Sequence, residues 1–89
     1  MAKKVLDINT DGFRIMCLQT DDRYNPYRVY RIWGYPGCMH RRQIAKYGDF
    51  MSVIYFIRDI YRYAVDTMPI YQMLQWCKDY RENKLDLSR

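Results

Sequence analysis

The chain has 89 residues, 49% of them hydrophobic and 28% charged, and a formal net charge of +5. Chains of this length rarely split into two domains, so one modest core is expected, and the composition argues against intrinsic disorder. Its most unusual property is 17% aromatic residues, ten of them Tyr.

In chain order, Asp11-Gly12 is a turn signal, and the apolar, β-branched run over 13–20 behind it reads as a strand with a short partner at 5–8. Residues 21–26 read as a loop, since Asn25-Pro26 favours a turn and Pro26 cannot donate to a ladder. Tyr27-Arg-Val-Tyr-Arg-Ile-Trp33 is the clearest strand on β propensity. Gly34-Tyr35-Pro36-Gly37 closes it with strong turn chemistry, and 39–47 returns as the second arm of a hairpin. That arm is more polar, as suits an edge.

At Gly48-Asp49 the apolar period changes. Asp49 is a suitable N-cap, because its carboxylate can accept from the free amides of a first helical turn. Phe50, Val53, Ile54, Ile57, Ile60, Tyr61 and Ala64 then form one buried stripe. Tyr55, Arg58, Asp59, Arg62 and Asp66 form the opposite one, with Arg62 and Asp66 spaced to pair. Thr67 can cap a second helix, Pro69 fits its first turn, and Ile70, Met73, Leu74 and Cys77 make its apolar face. Residues 84–89 read as a frayed tail. The expectation is a single small α+β domain over 1–89, with strands within 4–47 and helices at about 50–65 and 68–82. Its architecture would be an antiparallel meander of three to four strands with two C-terminal helices packed on one face. The order resembles that of small sheet-plus-helix DNA-binding modules, such as integrase N-terminal and plant AP2-type domains, in architecture alone; no residue motif carries their contacts over.

The three cysteines are an odd number without CxxC spacing, and no signal-length apolar run follows Lys3-Lys4. Arg58 and Asp59 interrupt the best membrane-span candidate. A soluble, cytoplasmic protein with no membrane partner is therefore expected.

The charge is concentrated. Residues 23–48 carry Arg23, Arg28, Arg31, Arg41, Arg42 and Lys46, no acid, and six of the fifteen aromatics. Arginine forks match phosphate oxygens, and Tyr or Trp faces stack on unpaired bases. The expected function is a small non-catalytic binding module that contacts nucleic acid through this hairpin. Arg28, Arg31, Arg41, Arg42 and Lys46 would neutralise phosphates, while Tyr30 and Trp33 stack. Period two limits the set: Arg28, Tyr30 and Ile32 share one face, Tyr27, Val29, Arg31 and Trp33 the other, and Arg41 and Arg42 point opposite ways.

The alternative is a protein–protein interaction or homodimerisation module, because Tyr, Trp, Met and Arg are enriched in interface cores. Gln72, Trp76 and Tyr80 align at four-residue spacing on the second helix, as the flank of the core or as a docking ridge for a protein partner or second copy. Cys38-Met-His40 is the one close pair of soft metal ligands, where structural zinc sites bring pairs two to four residues apart. Cys17, mid-strand, and Cys77, on the apolar helix stripe, read as small hydrophobes. No metal or cofactor is expected. Nor is catalysis: His40 is the sole histidine, no Ser or Cys has a nucleophile context, and Ser52 reads as a local amide acceptor. Asp21-Asp22 reads as a solvated turn, no glycine-rich phosphate loop is present, and no small-molecule substrate is evident.

Overall fold

The structure, a computed structural model, describes residues 2–10, 13–64 and 68–83. Four strands, β1 (Lys3–Thr10), β2 (Phe13–Gln19), β3 (Tyr27–Tyr35) and β4 (Cys38–Tyr47), pair antiparallel in the order β1-β2-β3-β4. Two helices, α1 (Phe50–Tyr63) and α2 (Ile70–Arg81), follow and cover one face of that meander, an α+β fold.

β1 is longer than the short partner expected, because its polar positions hide it from a search for apolar alternation. Lys4, Asp7 and Asn9 stand opposite Leu18, Met16 and Arg14 on the face away from the helices. Leu6 and Ile8 face the core, opposite Cys17 and Ile15. The Asp11-Gly12 turn lies outside the described residues. The β3–β4 turn is built as its chemistry dictates, with Pro36 setting one central φ and Gly37 supplying φ +89° at the next. Gly34 is also left-handed (φ +117°), and a Cβ there would collide with the Cys38 carbonyl oxygen.

The core lies between sheet and helices. Ile15, Cys17 and Val29 of the central strands, with Ile44 and Ala45 of β4, meet Val53, Phe56 and Ile60 of α1 and Met73 and Cys77 of α2. Each large apolar side chain fully buried here contributes about 1.5–3 kcal/mol of transfer free energy. The two cysteines behave as hydrophobes: burial pushes the Cys17 thiol up to about 11 and the Cys77 thiol up to about 12.

α1 starts where expected, its Asp49 carboxylate accepting from the Ser52 amide at 3.2 Å. The Ser52 hydroxyl donates to that carboxylate at 2.6 Å, so it is a donor here rather than an amide acceptor. The buried arc of α1 differs from the expected stripe. Phe56 and Asp59 are inside, whereas Ile54 and Tyr61 stand at the exposed rim. The reason is that α1 has two neighbours, the sheet and α2, and turns part of its surface toward the second. Asp59, only 5% exposed, accepts from the Tyr80 hydroxyl of α2 at 2.6 Å and from Arg58 Nε at 3.2 Å. Ala64 leaves the helix in extended backbone (ψ 149°), ending α1 at Tyr63 rather than near 65. The Asp66 pairing and the Thr67 cap lie outside the described residues. Pro69 occupies the cap position of α2 (ψ 152°) rather than its first turn, so the helix begins at 70 and not at 68. Its carbonyl accepts from the Met73 amide at 3.0 Å. Arg81 ends α2, just before Asn83 at φ 57°, a left-handed residue of the kind that closes helices. Among the described residues, no helix is long and apolar enough to cross a membrane.

Candidate functional site

Residues directly opposite one another in antiparallel strands point to the same side, so the register sorts every side chain of the sheet. On the side without helices stand Arg14, Met16 and Leu18 of β2, opposite Ile32, Tyr30 and Arg28 of β3. β4 adds Arg41 opposite Ile32, Gln43 opposite Tyr30 and Lys46 opposite Arg28. The phase of β4 depends on one irregularity. Val29 faces Ala45 but Tyr30 faces Gln43, leaving Ile44 as an extra residue in the strand. Both Ile44 and Ala45 are buried, and it is Arg41 rather than Arg42 that reaches the open face.

The seven residues expected to contact nucleic acid therefore do not form one surface. Arg28, Tyr30, Arg41 and Lys46 share the open face, while Arg31, Trp33 and Arg42 lie on the helix side. Arg31 serves the fold there: its guanidinium donates to the Met68 carbonyl and lies 5.0 Å from the centre of the Phe13 ring. Trp33 stacks on His40, ring centres 5.6 Å apart. Arg42 is exposed on that side. Arg14, outside the 23–48 block, joins the open face, and its phase with Met16 and Leu18 along β2 was the signal for it.

The bases of the open face are held differently. Arg28 reaches Asp22 at 2.5 Å and the Asn25 carbonyl at 3.1 Å, tying the β2–β3 loop to the sheet. Amides of Asn25 and Tyr24, with Arg28, hold the Asp22 carboxyl down at about 2. Arg14 pairs with Asp7, which Lys4 also approaches at 3.1 Å; hydrogen bonds from Arg14 and Lys4 bring the Asp7 carboxyl down to about 2. Arg41 lies over the Tyr30 ring, 5.2 Å from its centre. Neither Arg41 nor Lys46 forms an ion pair among the described residues.

The floor of this face is apolar. Met16 and Ile32 are each only 8% exposed although no helix covers them. Between Arg14 and Arg41 a hollow of about 340 Å³ opens over Met16, Ile32 and Met39.

On α2, Gln72 is exposed, while Trp76 and Tyr80 are half-buried and stacked on each other, ring centres 5.3 Å apart. Both rings also contact Phe56, at 6.2 and 5.4 Å, which places them along the flank of the core. Cys38 Sγ and His40 Nε2 stand 3.6 Å apart on β4. Among the described residues, no three His, Cys, Asp or Glu side chains gather as a metal site. No protein-family model matches this chain, and comparisons with characterised proteins and with solved structures find no match either.

Proposed function

We propose that the protein is a small binding module that lays single-stranded nucleic acid across the open face of its sheet. The observation that carries this reading is the grouping of Arg41 and Lys46, without acidic partners among the described residues, with Tyr30 on a face that no helix covers. Lys46 and Arg41 supply charge for phosphates, and the Arg41–Tyr30 pair presents a flat cationic platform for an unstacked base. A duplex would hide its base faces from that platform, so a single strand is the better fit. Arg28 adds charge at the loop end, partly offset by Asp22.

Fluorescence-anisotropy titration of labelled single and double strands at two salt concentrations tests the reading. With about three phosphates neutralised on a single strand, log K should fall with log salt at a slope near −2. Arg41→Ala combined with Lys46→Ala should weaken binding and reduce that slope, and Tyr30→Ala should cost ~1–3 kcal/mol of affinity. No binding at low salt, or binding indifferent to the Arg41 and Lys46 changes, would overturn it. Salt-insensitive self-association lost on Trp76→Ala would favour a protein-interaction module instead.

A further inference from the structure

Arg14 is held unlike any other base on the open face. Its Nε donates to Asp7 Oδ1 at 2.9 Å and its Nη2 to Oδ2 at 2.7 Å, a side-on pairing through two parallel bonds. A guanidinium carries five N–H donors in one plane. Side-on pairing uses two of them and leaves the far edge, both hydrogens of Nη1 and the second of Nη2. That edge is the fork that fits the O6 and N7 acceptors of guanine. Adenine offers an amino donor in place of O6, so the same fork meets a donor where it needs an acceptor.

Two further observations favour a base over a phosphate as the partner of Arg14. Asp7 fixes the plane of the guanidinium through two bonds, so at this point the face offers an oriented fork rather than a mobile point charge, and Lys4 leaves the Lys4–Asp7–Arg14 group with one net positive charge. Beside it lies the hollow floored by Met16, Ile32 and Met39, at the small end of the range for ligand pockets and suited to one planar ring system. A second hollow shares Arg14, Ile32 and Met39 and continues past Gly34.

We infer that Arg14, held in place by Asp7, is the specificity-determining residue of this face and reads a guanine in the bound strand. The inference rests on the nucleic-acid reading above and adds to it a base preference. The strand runs with its guanine in the hollow between Arg14 and Arg41, and its phosphates toward Arg41 and Lys46.

The test is anisotropy titration of the full chain with short labelled oligothymidine strands carrying guanine, inosine, 7-deazaguanine or adenine at the centre. Inosine keeps O6 and N7, so it should bind like guanine; 7-deazaguanine lacks N7, and it and adenine should bind roughly tenfold more weakly. Arg14→Met should bring all four strands to similar affinity, since it keeps an apolar stem over the hollow and removes every donor. Asp7→Asn should narrow the guanine preference by releasing the guanidinium. Equal binding of the four strands by the unaltered protein, with Arg41→Ala plus Lys46→Ala still weakening all of them, would overturn the guanine inference and leave the nucleic-acid reading standing. A guanine preference that survives Arg14→Met would overturn it as well. Failure of every strand to bind at low salt would bring down both. The guanine preference, or its absence, is read on the unaltered protein, so a misfolded variant cannot imitate it.

Discussion

The two faces of this sheet use the same strands and much the same residue types, yet arginine plays opposite parts on them. On the helix side Arg31 lies over Phe13 and donates to the Met68 carbonyl, fastening the backbone just before α2 to the sheet. On the open side Arg41 rests on Tyr30 in water, without an ion pair among the described residues. The difference is one of solvent: a guanidinium packed under helices must find its partners within the fold, whereas one facing water keeps them exchangeable. The strand register thus separates Arg31, fastened within the fold, from Arg41, exposed on the open face.

The sharpest way to separate the faces is to damage one and read the other. Phe56→Ala removes a fully buried ring from the covered side and should cost ~3–5 kcal/mol in urea or thermal unfolding. Strand affinity measured well below the lowered melting temperature should be unchanged. Next in size, Tyr80→Phe deletes the hydroxyl that donates to buried Asp59 and should cost ~1–3 kcal/mol, again with no effect on binding. A large loss of affinity in either variant would mean that the faces are coupled.

Smaller effects come from pH. Asp22 is held at about 2, below its ordinary 3.8, so its contribution is whole above pH 4 and is lost as pH falls toward 2. Asp22→Asn should therefore flatten the fall in Tm over that window. Tyr47 is raised by burial to about 12, so its contribution is whole below pH 10 and is lost as pH rises toward 12; Tyr47→Phe should flatten that limb. Smallest of all, Arg41→Ala plus Lys46→Ala should change stability by no more than about 0.5 kcal/mol while weakening strand binding. A clear drop in Tm would show that the open face carries stability too.

What the sequence disclosed about this fold was local chemistry. Asp49 announces α1, Pro36-Gly37 announces the β3–β4 turn, and the apolar spacing of Val53, Ile57 and Ile60 fixes the inner side of α1. What stayed hidden depends on contacts between distant segments. Asp59 looks like a solvent-facing acid until α2 brings Tyr80 beside it. Arg14 looks isolated until pairing with β1 sets Asp7 within reach. Trp33 and Arg31 were placed on the opposite face from Tyr30 by period two alone, but which face lies open required the helices. The phase of β4 was the hardest to read, because counting back from Ala45 by strict alternation sends Arg42 outward.

The extra residue at Ile44 also gives β4 an uneven tolerance to changes in length. Deleting it would leave Val29 opposite Ala45 and Tyr30 opposite Gln43, with each side chain still on its present side. The cost would be one buried apolar group and the added twist that a bulge brings. Deleting His40 instead, with the hairpin turn and Ala45 held in place, would turn over the residues from Arg41 to Ile44 and send Arg42 outward. The chemistry that this surface offers a partner is therefore set by how many residues separate the turn from Ala45, as firmly as by which residues they are.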